Sequence, residues 1–91
     1  MERVRITIIG RVQGVFYRKS LQERALKLKI RGWVQNLPDG NVEAIMEGEK
    51  VDLEQLIAWS RIGPSGAKVE RVSCEWQRAQ NDLVGFKILH I

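Results

Sequence analysis

The sequence predicts an α+β sandwich in which two helices pack on one face of an antiparallel sheet, in the order β-α-β-β-α-β with a short strand added at the end. Three observations carry this expectation. Apolar residues switch repeatedly between every-second-residue and helical spacing, and turn-forming residues punctuate each switch. The third is length: 91 residues allow one core, which strands and helices must share.

Val4, Ile6 and Ile8 alternate with Arg3, Arg5 and Thr7, the pattern of a half-buried strand. Leu21, Ala25 and Leu28 follow at helical spacing, with Lys, Glu and Arg on the other faces. Gly32 lies past the last of them, and Trp33-Val34 opens a second strand. Leu37-Pro38-Asp39-Gly40 has hairpin-turn chemistry, after which Val42, Ala44 and Met46 alternate with Glu43, Ile45 and Glu47. Asp52, three residues before Gln55, predicts a capping box at the start of a second helix whose apolar stripe is Leu53, Leu56 and Ile57. Gly63-Pro64-Ser65-Gly66 ends it. Val72, Cys74 and Trp76 mark a fourth strand, Asn81-Asp82 a turn, and Leu83 to Leu89 a last strand. This order is the split βαβ, or ferredoxin-like, arrangement. Without repeat, low-complexity tract or linker, residues 1–91 are expected to form a single domain.

Composition narrows the function classes. With 44% hydrophobic and 29% charged residues, the chain reads as globular rather than disordered. No apolar run approaches the roughly 20 residues of a membrane span, and the charged start lacks the h-region of a signal peptide, so a cytoplasmic location is expected. A net charge of +4 suits an anionic partner, small or polymeric, without choosing between phosphate and nucleic acid. Cys74, the only cysteine, excludes an intramolecular disulfide; its alternation with Val72 and Trp76 predicts burial on a strand face. His90, the only histidine, alternates with Phe86 and Ile88 at a strand end, where a packed or solvated role is favoured over catalysis. Glu43, Glu47, Glu49 and Asp52 distribute along a solvated strand face and turn, so no metal site is expected.

The most informative segment runs from Gly10 to Arg18, Gly-Arg-Val-Gln-Gly-Val-Phe-Tyr-Arg, between the first strand and the first helix. Its two glycines allow a tight turn with exposed N–H groups, and the helix start adds its own unpaired donors and positive dipole end. Acidic residues are favoured in a first helical turn, yet this one carries Arg18 and Lys19. A locally unfavourable charge of this kind is expected where function demands it. The spacing is not that of a nucleotide-binding P-loop: three residues separate Gly10 from Gly14 and no Gly-Lys follows. From the residues alone, Arg18 reads equally as a bidentate phosphate ligand and as a surface side chain covering the helix end. Asn36 reads as a turn-entry asparagine.

Gly10-Arg-Val-Gln-Gly-Val15 with Phe16, Tyr17 and Arg18 resembles the phosphate-loop signature of the acylphosphatase family. Gly32-Trp33-Val34-Gln35-Asn36, Asp39-Gly40-Asn41-Val42-Glu43, Glu47-Gly48, Gly63 to Ala67 and Gly85 to Ile88 are similar to the family pattern as well. The resemblance implies hydrolysis of acyl phosphates to carboxylate and inorganic phosphate; a monomer without metal, cofactor, membrane or nucleic-acid partner is expected. It implies Arg18 and Asn36 as catalytic residues, Asn36 orienting the attacking water. Gln13, Gly14, Val15, Phe16, Tyr17 and Arg18 are then the phosphate-binding segment. The alternative is a non-catalytic ferredoxin-like module that binds an anion or RNA; against RNA, no strand carries the aromatic pair on which such platforms stack bases.

Overall fold

The structure is a computed structural model that describes residues 1–90. Its elements are β1 (Glu2–Arg11), α1 (Tyr17–Lys27), β2 (Arg31–Asn36), β3 (Val42–Gly48), α2 (Lys50–Ser60), β4 (Lys68–Gln77) and β5 (Phe86–Leu89). The strands form one sheet in the order β4-β1-β3-β2-β5. β1–β3, β1–β4 and β2–β3 are antiparallel, as expected, whereas β5 runs parallel to β2 and makes the sheet mixed. Two-residue periodicity reveals a strand but not the direction of its partner, which is why the sequence did not disclose this pairing.

One face of the sheet meets both helices. Val4, Ile6 and Ile8 of β1, Val34 of β2 and Val42, Ala44 and Met46 of β3 are fully buried there. Leu21 and Ala25 of α1 and Leu53, Leu56 and Ile57 of α2 close over them. The alternation that announced the strands is therefore the alternation that builds the core.

Several local expectations need correction. α2 begins two residues before Asp52: Glu49 is the N-cap and makes no side-chain capping bond, so Asp52 sits inside the first turn, opposite the positive end of the dipole. The last strand starts at Phe86, because Gly85 adopts φ +66°. Cys74 is exposed and Trp76 is 42% exposed. Their face was read correctly, since Cys74 pairs with Ile6 and Trp76 with Val4. β4 is an edge strand, however, and α2 leaves that flank open. Glu47, assigned to a solvated face, is completely buried among basic side chains and main-chain N–H groups.

Gly10 also has a different part from the one foreseen. It lies within β1, at a register shift against β4, with φ +142°. A Cβ there would stand 2.2 Å from the Lys68 carbonyl oxygen, so only glycine permits the approach. Gly10 thus shapes the strand leading to the loop, and the turn itself begins further on.

Candidate active site

Val12 and Tyr17 anchor the two ends of the β1–α1 loop, each 1% exposed. The Tyr17 hydroxyl donates to the Ser60 carbonyl at 2.7 Å, and its ring lies 5.6 Å from that of Trp59. Burial pushes the phenol well above its ordinary pKa, so it is a neutral anchor. Between the anchors the chain curls through left-handed backbone at Gly14 (φ +76°) and Phe16 (φ +61°). For a bulky residue such as Phe16 this conformation costs about 1–2 kcal/mol. The ring recovers none of it by burial, being 82% exposed. Strain without a packing reward indicates that the main-chain path is itself what is required. Among the described residues, the N–H groups of Gly14, Val15 and Phe16 donate to no main-chain carbonyl. They are available as an anion-binding concavity.

α1 continues that concavity, with Phe16 as a left-handed N-cap, no capping side chain and no acidic residue in the first turn. Arg18 and Lys19 stand on this turn. Arg18 is half-buried, and among the described residues no carboxylate lies within 4.0 Å of it. Arg3, Arg5 and Arg31, by contrast, each contact a glutamate. A guanidinium fork at a helix N-terminus without an internal counterion suits a phosphate.

Asn36 closes β2 opposite Val42. Its parity with the buried Val34 turns it to the helix-covered side, the direction in which the loop lies. Its Oδ1 is buried and, among the described residues, has no hydrogen-bond partner. Such an atom costs about 1–3 kcal/mol, and a functional role is one of the few reasons for a fold to keep it.

These groups converge. A cavity of about 290 Å³ is lined by Gly14, Phe16, Arg18 and Lys19 from the loop and helix, by Asn36 from β2, and by Ile88 and His90 from the end of the chain. Of the expected site residues, Gly14, Phe16, Tyr17, Arg18 and Asn36 line it. Val15 instead packs on the core. Gln13 points its side-chain amide elsewhere: Nε2 donates to the carbonyls of Leu37 and Asn41, both at 2.8 Å. An amide nitrogen has two hydrogens, so any service Gln13 gives an anion must come from its main chain.

His90 is the residue whose position the sequence did not reveal. Gln35 pairs with Leu89, so one step further along the parallel ladder Asn36 lies beside His90. The histidine is exposed, as a solvated role requires, yet it is on the rim of this cavity. Only the parallel register could have placed it there. Among the described residues no group of three or more His, Cys, Asp or Glu is arranged to hold a metal ion, and no helix is long and apolar enough to cross a membrane.

Comparison with known proteins matches the acylphosphatase family model over residues 4–88. An acylphosphatase from Rubrobacter xylanophilus is 48% identical over 87 residues, covering 96% of this chain and 79% of that protein. One from Thermococcus kodakarensis is 48% identical over 91 residues, covering 98% of this chain and 99% of its own length. The crystal structure of acylphosphatase from Bacillus subtilis superposes with a TM-score of 0.95 at 36% identity, covering 99% of this chain and all of that one. With a family match of this extent and near-complete coverage in both directions, the chain belongs to the acylphosphatase family.

Proposed function

We propose that the chain hydrolyses the carboxyl–phosphate anhydride of acyl phosphates, with Arg18 and the N–H groups of residues 13–18 holding the phosphoryl group and Asn36 holding the attacking water. The observation that carries this reading is the convergence on one cavity, among the described residues, of a guanidinium without a carboxylate partner, a strained donor loop and an Asn36 oxygen without a hydrogen-bond partner.

The chemistry asks little more of the protein. Water oxygen attacks phosphorus as the bond from phosphorus to the acyl oxygen breaks. The leaving group is a carboxylate, already stable as an anion, so no general acid is required. The water's proton passes to an oxygen of the phosphoryl group. In a loose phosphoryl-transfer transition state charge spreads over the equatorial oxygens, and catalysis is mainly positioning and electrostatic stabilisation. Arg18 and the loop donors supply the second, Asn36 the first. Tyr17 holds the helix start rigidly in place.

The same reading takes the enzyme as a cytoplasmic monomer that uses no metal or cofactor and has no nucleic-acid partner. Hydrolysis of benzoyl or acetyl phosphate by the purified chain, with and without exhaustive chelation, tests it. Equal turnover in both conditions is the expected result; activity lost on chelation and restored only by a divalent ion contradicts the metal-free reading, and no turnover in either condition contradicts the proposed activity.

A further inference from the structure

The loop that curls around the cavity and the hairpin that carries Asn36 come from different parts of the chain, yet one side chain joins them. Gln13, immediately before Gly14, donates its two Nε2 hydrogens to Leu37 and Asn41 across 2.8 Å each. These carbonyls belong to the closing rung of the β2–β3 turn, where the Leu37 N–H donates to Asn41 at 2.8 Å. The Leu37 carbonyl also accepts from Gly40, at 3.1 Å. Leu37 is the residue directly after Asn36. Among the described residues the Asn36 Oδ1 itself has no partner, so no hydrogen bond of that atom to them fixes the carboxamide. The main chain around residues 36–37 carries the carboxamide, and Gln13 clamps that main chain to the loop.

We infer that Gln13 is a positioning residue: it sets the separation between the water held by Asn36 and the phosphoryl group held by the loop. This rests on the water-holding role of Asn36. A purely structural glutamine would influence stability without distinguishing turnover from phosphate affinity. A loop ligand would change both. A positioning residue acting through Asn36 changes turnover alone, and only while Asn36 is present.

The test is a double-mutant cycle on acyl phosphate hydrolysis using Gln13→Ala, Asn36→Ala and the pair, with inhibition by inorganic phosphate measured on each. Displacing a reacting group by about 1 Å can cost a hundredfold, so Gln13→Ala is expected to lower kcat roughly tenfold to a hundredfold. Its inhibition constant for phosphate should stay within about twofold, because Arg18 and the loop N–H groups remain. In the Asn36→Ala background the same substitution should cost nothing further. Gln13→Met, similar in shape and without donors, gives the same comparison if alanine loosens the fold. Equal losses in both backgrounds, weakened phosphate binding in step with kcat, or unchanged kcat would each overturn the inference. Full turnover in Asn36→Ala would remove the water-holding role itself, and the inference with it.

Discussion

Two clusters of buried and half-buried polar groups occupy the same sheet, and they differ in how completely the protein answers them. Around Glu47 the account is nearly closed. Its carboxylate accepts from Arg3 at 2.8 Å and from the main-chain N–H groups of Gln80 and Asn81 at 2.8 and 3.2 Å. Arg31 stands 3.8 Å away, and Arg3 reaches Asp82 at 3.2 Å. Among the described residues of this cluster, only Arg3 Nε is left buried without a partner. Around Arg18 the arrangement among the described residues is reversed: no carboxylate within 4.0 Å, loop N–H groups that donate to no main-chain carbonyl, and an Asn36 oxygen without a hydrogen-bond partner. Burial of charge does not by itself mark function. A charge with its partners inside the chain stabilises the fold, and one without them is poised for a ligand.

The comparison breaks first at Arg18. Arg18→Ala should reduce turnover by at least ~10²–10³, the usual loss on removing one strong transition-state donor, because in the proposed role this group anchors the ground-state phosphate as well. Thermal stability should change little, since no carboxylate among the described residues is abandoned. Lysine should rescue poorly, as it replaces a planar fork by a point charge. Wild-type turnover in a folded Arg18→Ala protein would contradict the assignment.

Asn36 separates positioning from base catalysis. Asn36→Ala should lower kcat severely and leave phosphate inhibition intact. Asn36→Asp should lose both, because a carboxylate about 5 Å from the phosphoryl charge is repelled by about 3 kcal/mol at an effective dielectric of 20. If Asn36→Asp matches wild type and gains a carboxylate-like step in its pH–rate profile, the residue acts as a base.

Glu47→Gln should show the opposite behaviour, losing about 3 kcal/mol of stability with kcat per folded molecule unchanged. Burial alone would raise the Glu47 pKa, but the bonds from Gln80, Arg3 and Asn81 outweigh it and hold the carboxyl below its ordinary value. A depressed folded-state pKa means that the unfolded chain takes up the proton first on acidification. The contribution of Glu47 is therefore fully present above the ordinary glutamate pKa of about 4.3 and is lost as pH falls through the lower folded value. The stability gap between wild type and Glu47→Gln, read from denaturant titrations, should be constant above about pH 5 and shrink below about pH 4. A gap independent of pH would show that the carboxylate charge is not what the network stabilises.

The two clusters were not equally legible in the sequence. Arg18 stood out locally, as a cation in a helix turn that favours acids beside a glycine loop. That signal reads equally as a phosphate ligand or a surface side chain, and only the family resemblance chose between them. Strand alternation likewise gave the core face through Val4, Ile6, Ile8 and Val34. What stayed hidden depended on which strands are neighbours. Glu47 is buried because Arg3 and Arg31 pair with it from either side, a register that no single strand encodes. Cys74 alternates like a core residue, but its strand lies at the sheet edge. His90 meets the cavity only because β5 pairs in parallel with β2. Gln13 reads as part of the loop motif, whereas its amide is used by a hairpin more than twenty residues away, with separations of 24 and 28.

In the proposed reading, Arg18 and the loop form a phosphoryl site completed only by a ligand. Thermal unfolding of wild type, Arg18→Ala and Glu47→Gln with increasing inorganic phosphate at constant ionic strength tests it most directly. A ligand bound only by the folded state adds about 2.7 kcal/mol of stability at one hundred times its Kd. Wild type and Glu47→Gln should both gain thermal stability, and Arg18→Ala should gain none. An equal gain in all three proteins would reveal a general salt effect and contradict the claim.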